Sequence, residues 1–161
     1  MPIDMFLKLT GFQGESSDAK HKGEIDVLAW SWGLSEAVSA GGGGGGAGTG
    51  RTEIESLSVE KLVDLSSPLL LSFSAQGKHI SDGMLATRKP GKATDDFLLF
   101  KMTDVIVTSV HMTASKDTNQ PAENIVLKFG KLEFDYRPTK QDGSLGPGTS
   151  FKWDVAANKP G

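Results

Sequence analysis

EIDVLAWSWGLS, residues 24–35, is the stretch that decides the fold. Its bulky residues Leu28, Trp30 and Trp32 share one parity, and its small residues share the other: Val27, Ala29, Ser31 and Gly33. Successive side chains of a β-strand point to opposite faces of the sheet, so the alternation predicts a half-buried strand. We expect the bulky face to enter a core and the small face to form a smooth, weakly polar surface.

The same alternation recurs through the chain of 161 residues, which has about the length of one domain. Near the N-terminus, Ile3, Met5, Leu7 and Leu9 share a parity. Clusters of Gly, Pro, Asn and Asp separate the other strand candidates, which are residues 51–64, 83–89, 96–102, 104–113, 124–136 and 150–155. The sequence therefore predicts a single mainly β domain over residues 1–161, with about eight strands.

One segment departs from the strand pattern. Ser66, Ser67 and Pro68 precede LLLSFSAQ, and Gly77 follows it. A hydroxyl cap, an early proline and a closing glycine are typical of a short helix. We expect this helix to flank a barrel, with three apolar residues facing the core: Leu69, Leu70 and Phe73.

Composition excludes several classes of protein. The net charge of −3 argues against a nucleic-acid module, which usually carries a basic patch. Cysteine is absent, so disulfides and thiolate sites are excluded. The N-terminal stretch MPIDMFLKL lacks the basic region and cleavage site of a signal peptide. No stretch reaches the roughly 20 apolar residues of a membrane span, so we expect synthesis in the cytoplasm without a cleaved signal.

Residues 40–50, AGGGGGGAGTG, are predicted to form an extended loop between two strands. The run satisfies a GxGxxG pattern and approaches a phosphate-binding loop, with Arg51 where lysine should stand. Such a loop must lead into a helix, whereas residues 53–59 alternate like a strand. We therefore predict no nucleotide site. The loop is either a mobile hairpin tip or is packed against something outside the subunit.

Neither a catalytic nor a metal site is predicted. His21, His79 and His111 stand far apart and lack the short ligand spacings of metal motifs. His79 follows the helix, where we expect a cation to complement the helix C-terminus. The chain has no GxSxG nucleophile motif, and the adjacent carboxylates Asp95 and Asp96 should lie on opposite faces of a strand. We expect no cofactor and no enzymatic activity.

In order and spacing, segments along essentially the whole chain resemble the haemolysin-coregulated protein (Hcp) family of the bacterial type VI secretion system. The segments that carry the resemblance are MPIDMFLKL (1–9), GES (14–16), HKGEIDVLAWSWG (21–33), RKPG (88–91), YRPTKQDG (136–143) and FKWDVAANK (151–159).

The resemblance implies a small β-barrel of two packed antiparallel sheets with one flanking helix. It further implies hexameric rings that stack into the secretion tube, are enclosed by a contractile sheath, are tipped by a spike protein, and are secreted on sheath contraction. Family rings also bind small effector proteins in their lumen. Since the sequence stops at Gly161, soon after the barrel, we expect no effector activity of its own.

The resemblance assigns a role to two sets of residues. The small strand face of Val27, Ala29, Ser31 and Gly33 is predicted to line the lumen and contact effectors. The loop residues predicted to contact the next ring are Gly42, Gly43, Gly44, Gly45 and Gly46. The alternatives are a monomeric ligand-binding β-sandwich and an esterase-like or glycosidase-like enzyme.

Overall fold

The computed structural model describes residues 2–36, 51–90 and 95–161, and these form eleven β-strands and one α-helix. In chain order the elements are β1 Asp4–Leu9, β2 Ile25–Asp26, β3 Ala29–Ser31, β4 Leu34–Glu36, β5 Thr52–Ile54, β6 Leu57–Leu62, α1 Ser67–Gln76, β7 His79–Arg88, β8 Asp96–Thr113, β9 Ala122–Tyr136, β10 Thr149–Asp154 and β11 Lys159–Pro160. The mainly β fold with a short helix is therefore confirmed.

Nine strands form one antiparallel sheet, in which β11-β10-β9-β8-β7-β1-β2 are successive neighbours. The long strand β9 has two partners on the same side: its residues 131–136 pair with β10, and its residues 122–127 pair with β6, which in turn carries β3. β8 and β9 thus run through both halves of the barrel. The two predicted sheets are joined through these strands, and β4 with β5 forms a separate pair.

The boundary predicted near residue 103 is a kink inside β8. The chain continues as one strand of 18 residues, and Asp104 adopts a left-handed φ of 56° between two positions paired to β9. A polar residue in this conformation bends a strand without ending it. Conversely, the predicted strand over residues 51–64 is divided into β5 and β6.

The core is built from the inward faces of β1, β2, β6, β7, β8 and β9 together with α1. Phe100 of β8 is fully buried, and its ring meets Trp32, Phe129 and Phe134 at centroid distances of 5.1, 5.7 and 6.4 Å. Leu7 and Leu9 are buried as predicted, whereas Ile3 precedes β1 and is exposed. Edge-to-face contacts between these aromatic rings thus stabilise the core beyond the effect of the apolar area buried around Phe100.

The predicted helix is present, and Gly77 ends it with a φ of 62°. Lys78 N donates to Phe73 O and Gly77 N donates to Ser74 O, which satisfies the last carbonyls. Leu70 is buried and Phe73 packs against the core, but Leu69 is exposed, so its predicted inward orientation is wrong. Residues one apart on a helix point about 100° apart, and only one of these leucines meets the barrel.

The hydroxyl cap predicted at the start of α1 has a different arrangement. Ser66 makes no side-chain bond to the helix N-terminus; its hydroxyl donates to Asp64 Oδ1 at 2.5 Å. Within the described residues, no helix is both long and apolar enough to cross a membrane. The predicted glycine-rich loop, residues 40–50, lies outside the described residues.

Candidate assembly and cargo surface

The predicted small-residue face is interrupted between Val27 and Leu28. Val27 N donates to Met5 O of β1, and Leu28 N donates to Glu60 O of β6, so the chain changes partner strand at this point. The accompanying bend reverses the parity of the side chains. Val27 belongs to the core and is 8% exposed, whereas Leu28 is 51% exposed. The predictions for these two residues are therefore wrong, because one continuous strand was assumed where the structure has two.

Beyond the bend, the predicted alternation holds. Trp30 and Trp32 are half-buried and pack against the core, near Phe100. The indole N–H of Trp32 donates to Glu55 O at 2.9 Å, which gives its polar atom a partner. The bulky face is thus confirmed for both tryptophans.

Ala29 and Ser31 lie on the opposite face of β3 and are exposed. Ser31 is directly opposite Ser58 on β6, and the Ser58 hydroxyl donates to Asn124 Oδ1 at 3.1 Å. Small, uncharged side chains of β3, β6 and β9 therefore lie close together on this face. The face also carries the exposed Glu60, which is opposite both Ala29 and Asn124. We call Ala29, Ser31, Ser58 and Asn124 the small polar face.

Gly33 lies just beyond β3 and is half-buried. A Cβ added there would come 3.1 Å from Glu55 Oε2, at the end of a flexible side chain. Gly33 therefore adjoins the small polar face, at the point where the chain passes from β3 to β4. Of the four residues predicted to share a face, Ala29 and Ser31 do so, Gly33 adjoins them, and Val27 does not.

Several strand edges are open in the described part of the chain. There, β3 pairs with β6 on one side only, and β10 pairs with β9 along its length but with β11 at only two positions. Open edges present backbone N–H and C=O groups that can pair with another chain. The barrel thus offers two edges suited to joining neighbouring subunits.

The two-stranded sheet leads into the glycine-rich segment. Leu34, Ser35 and Glu36 of β4 pair with Ile54, Glu53 and Thr52 of β5. All three β4 residues are exposed. Residues 42–46, predicted to contact another ring, lie between β4 and β5 in the sequence, outside the described residues.

Two of the three histidines, His21 and His79, have carboxylate partners that the sequence did not predict. His21 is buried, and its Nδ1 and Nε2 lie 3.0 Å from Glu24 Oε2 and Asp96 Oδ1. His79 lies in β7 and contacts Asp104 of β8 at 2.6 Å, instead of the helix C-terminus where it was predicted to act. The partners Asp96 and Asp104 are 75 and 25 residues away, so no local spacing could reveal them. In the described ranges, no group of three or more His, Cys, Asp or Glu residues is placed to hold a metal ion.

Comparisons with known proteins identify the class to which this fold belongs. The family described as "Type VI secretion system effector, Hcp" matches residues 6–136. The protein hcp1 of Pseudomonas aeruginosa strain PAO1 is 38% identical over 160 residues, which cover 98% of each chain.

Solved structures of type VI secretion proteins are also similar to this chain. A "type six secretion system protein" superposes with a TM-score of 0.91 at 29% identity, covering 98% of this chain and 99% of that one. Hcp1 from Salmonella typhimurium superposes with a TM-score of 0.81 at 31% identity, covering 99% of both chains. The fold is thus that of type VI secretion proteins. The chain belongs to the Hcp family.

Proposed function

We propose that this chain is the structural subunit of a type VI secretion tube. Six copies close into a ring through head-to-tail contacts, and rings stack into a tube that a contractile sheath encloses and a spike protein tips. The subunit is made in the cytoplasm and is secreted when the sheath contracts. The observation that carries the proposal is the match to the Hcp family over residues 6–136. The proposal assigns the chain no enzymatic role.

The open edges of β3 and β10 support ring formation. In a head-to-tail ring, each subunit presents a different edge to each neighbour, so closing the ring covers both edges. Light scattering of the purified protein at micromolar concentration tests the idea. We expect a particle about six times the chain mass of 17.1 kDa. A monomer would contradict the ring and would favour a monomeric ligand-binding β-sandwich.

We further propose that Ala29, Ser31 and Gly33 line the lumen and hold effector proteins. A face of mainly small side chains makes shallow contacts, which bind many cargo surfaces weakly and release them readily. Val27 has no part in this surface because it is buried. The exposure of Ser31 and its small neighbours supports the assignment.

Replacement of Ser31 by Gln or Glu tests the cargo surface. Each ring would carry six larger groups, and because Ser31 is exposed the core would stay intact. We expect normal rings that no longer capture effectors in pull-down experiments. Ser81→Gln, an exposed serine of β7, is the matched control and should capture normally. Undiminished capture by well-formed Ser31 variants would place the cargo surface elsewhere.

The glycine-rich loop is proposed to contact the next ring. Glycine lets a backbone pass close to a neighbouring surface, but it loses much conformational freedom on ordering. Deleting residues 42–46 should leave the melting temperature of the isolated ring nearly unchanged and reduce tube formation and secretion. Normal secretion, or a large fall in melting temperature, would contradict this role.

A further inference from the structure

Lys61 and Glu123 occupy core-facing positions where alternating strands normally carry apolar residues. On β6, Lys61 is buried on the same face as Leu57 and Val59. On β9, Glu123 lies two residues before the buried Ile125 and therefore points to the same side. The two charged residues are directly opposite each other in the antiparallel ladder. Both side chains are 0% exposed. Charged groups are almost never fully buried unless they are paired.

The Lys61 ammonium is surrounded by oxygen atoms. It donates to Leu62 O at 3.0 Å, to Asp64 Oδ1 at 3.0 Å and to Ser67 Oγ at 3.3 Å, and it forms an ion pair with Glu123 Oε1. These groups come from β6, the turn after it, the first residue of α1, and β9.

Ser67 connects the helix to both strands. Its hydroxyl donates to Glu123 Oε1 at 2.7 Å and accepts from Asp64 N at 2.9 Å as well as from Lys61. A serine hydroxyl has one donor and two acceptor sites, so its hydrogen-bonding capacity is used in full. Helix α1 is therefore attached through its first residue to the buried ion pair.

The cluster is poorly suited to raising net stability. Glu123 Oε2 is buried, and within the described residues it has no hydrogen-bond partner. Buried ion pairs often contribute no more than apolar residues of similar volume, because removing the charges from water offsets their attraction. The large cost arises only when one charge is buried without the other.

The free-energy cost of burying an unpaired charge favours the native β6–β9 register over shifted registers. If β6 slipped by two residues against β9, Lys61 would oppose Ile125 or Pro121 instead of Glu123. A slip by one residue would turn the Lys61 side chain to the opposite face of the sheet. β6 also carries β3, so its register sets the position of Ser31 opposite Ser58.

We propose that Lys61, Glu123 and Ser67 form a latch that selects the β6–β9 register and fixes the start of α1 on the barrel. The latch contributes uniqueness of structure, while apolar residues could supply the same net stability. It positions β3 and α1, and its test does not require the proposed cargo role to be correct.

Amide hydrogen exchange on the purified full-length protein tests the latch. The double variant Lys61→Met/Glu123→Leu should keep a melting temperature within about 5 °C of wild type. Its amides in β6 and α1 should exchange at least about tenfold faster, while those of β7 keep their protection. The control Glu60→Leu/Lys128→Met makes the same chemical change at exposed positions of β6 and β9 and should leave exchange in α1 unaltered.

Two single variants separate the alternatives. Lys61→Met leaves Glu123 buried without its partner and should lower the melting temperature by about 10 °C. Ser67→Ala should accelerate exchange in the first turn of α1 and should leave β7 unaffected, which keeps a test available if the double variant fails to fold. Native exchange in α1 and β6 of the double variant, or native exchange in α1 of Ser67→Ala, would overturn the latch. A loss of melting temperature in the double variant equal to that of Lys61→Met would show a purely stabilising pair.

Discussion

Arg88 and Asp18 form a bidentate ion pair that joins β7 to the loop before β2. Arg88 Nη1 donates to Asp18 Oδ2 at 3.0 Å, and Nη2 donates to Oδ1. The same carboxylate accepts hydrogen bonds from the backbone N–H groups of Lys20 and His21. Asp18 therefore organises its own loop and holds that loop on the sheet.

The pair predicts a loss of stability in acid. The hydrogen bond from Arg88 holds the pKa of Asp18 below its usual value, so the folded protein binds this proton less tightly than the unfolded chain. The contribution is complete above the ordinary aspartate pKa of about 3.9 and is lost as the pH falls through the lowered folded value. Asp18→Asn should therefore melt lower than wild type near neutral pH, and the difference should shrink below about pH 4. Asp117→Asn, in an exposed turn, is the control, and a difference independent of pH would contradict the assignment.

Local alternation was enough to identify most strands and the inward direction of Trp30 and Trp32, because a period of two is a property of the strand itself. It could not locate the change of partner at Val27, since that depends on the positions of β1 and β6. The core side chain of Lys61 was missed for a related reason. Its parity matches Leu57 and Val59, but its burial requires Glu123, 62 residues away.

Replacement of the buried His21, which lies between two carboxylates, gives a further prediction. Its ring stacks on Phe6 at 4.4 Å, and its two nitrogens face Glu24 and Asp96. Each ring nitrogen therefore has a carboxylate oxygen within hydrogen-bonding distance. His21→Leu should keep the contact with Phe6 but leave two carboxylates near each other, which should lower the free energy of unfolding by about 3 kcal/mol. His111→Leu, at an exposed position, should change the free energy of unfolding little in the same denaturant titration. Equal effects of the two variants would contradict a stabilising role of the contacts between His21 and the two carboxylates.

Gly14, in the loop between β1 and β2, lies too close to a neighbouring backbone to accept a side chain. A Cβ at this position would lie 2.4 Å from the carbonyl oxygen of Glu24, and the backbone cannot give way because Gly14 N donates to Gly23 O and Ser16 N donates to Glu24 O. Gly14→Ala should therefore lower the free energy of unfolding by about 3 kcal/mol. In Gly130→Ala, the nearest atom would be Asp104 Cβ at 3.4 Å, an ordinary contact. Chemical denaturation at one protein concentration compares them, and a Gly14→Ala protein as stable as Gly130→Ala would disprove the close approach.

The change of partner strand between Val27 and Leu28 gives the last prediction. Simple alternation assigns Leu28 to the core, whereas the structure buries Val27 and exposes Leu28. Val27→Ala removes two buried methyl groups and should lower the free energy of unfolding by about 2 kcal/mol. Leu28→Ala removes a larger apolar group but should cost under about 0.5 kcal/mol, because that group already contacts water. Trp30→Ala, which takes a half-buried ring from the core cluster, should cost about 3 kcal/mol. Denaturant titrations of the three variants under dissociating conditions separate core packing from contacts between subunits. A larger loss for Leu28→Ala than for Val27→Ala would mean that the strand continues without the bend.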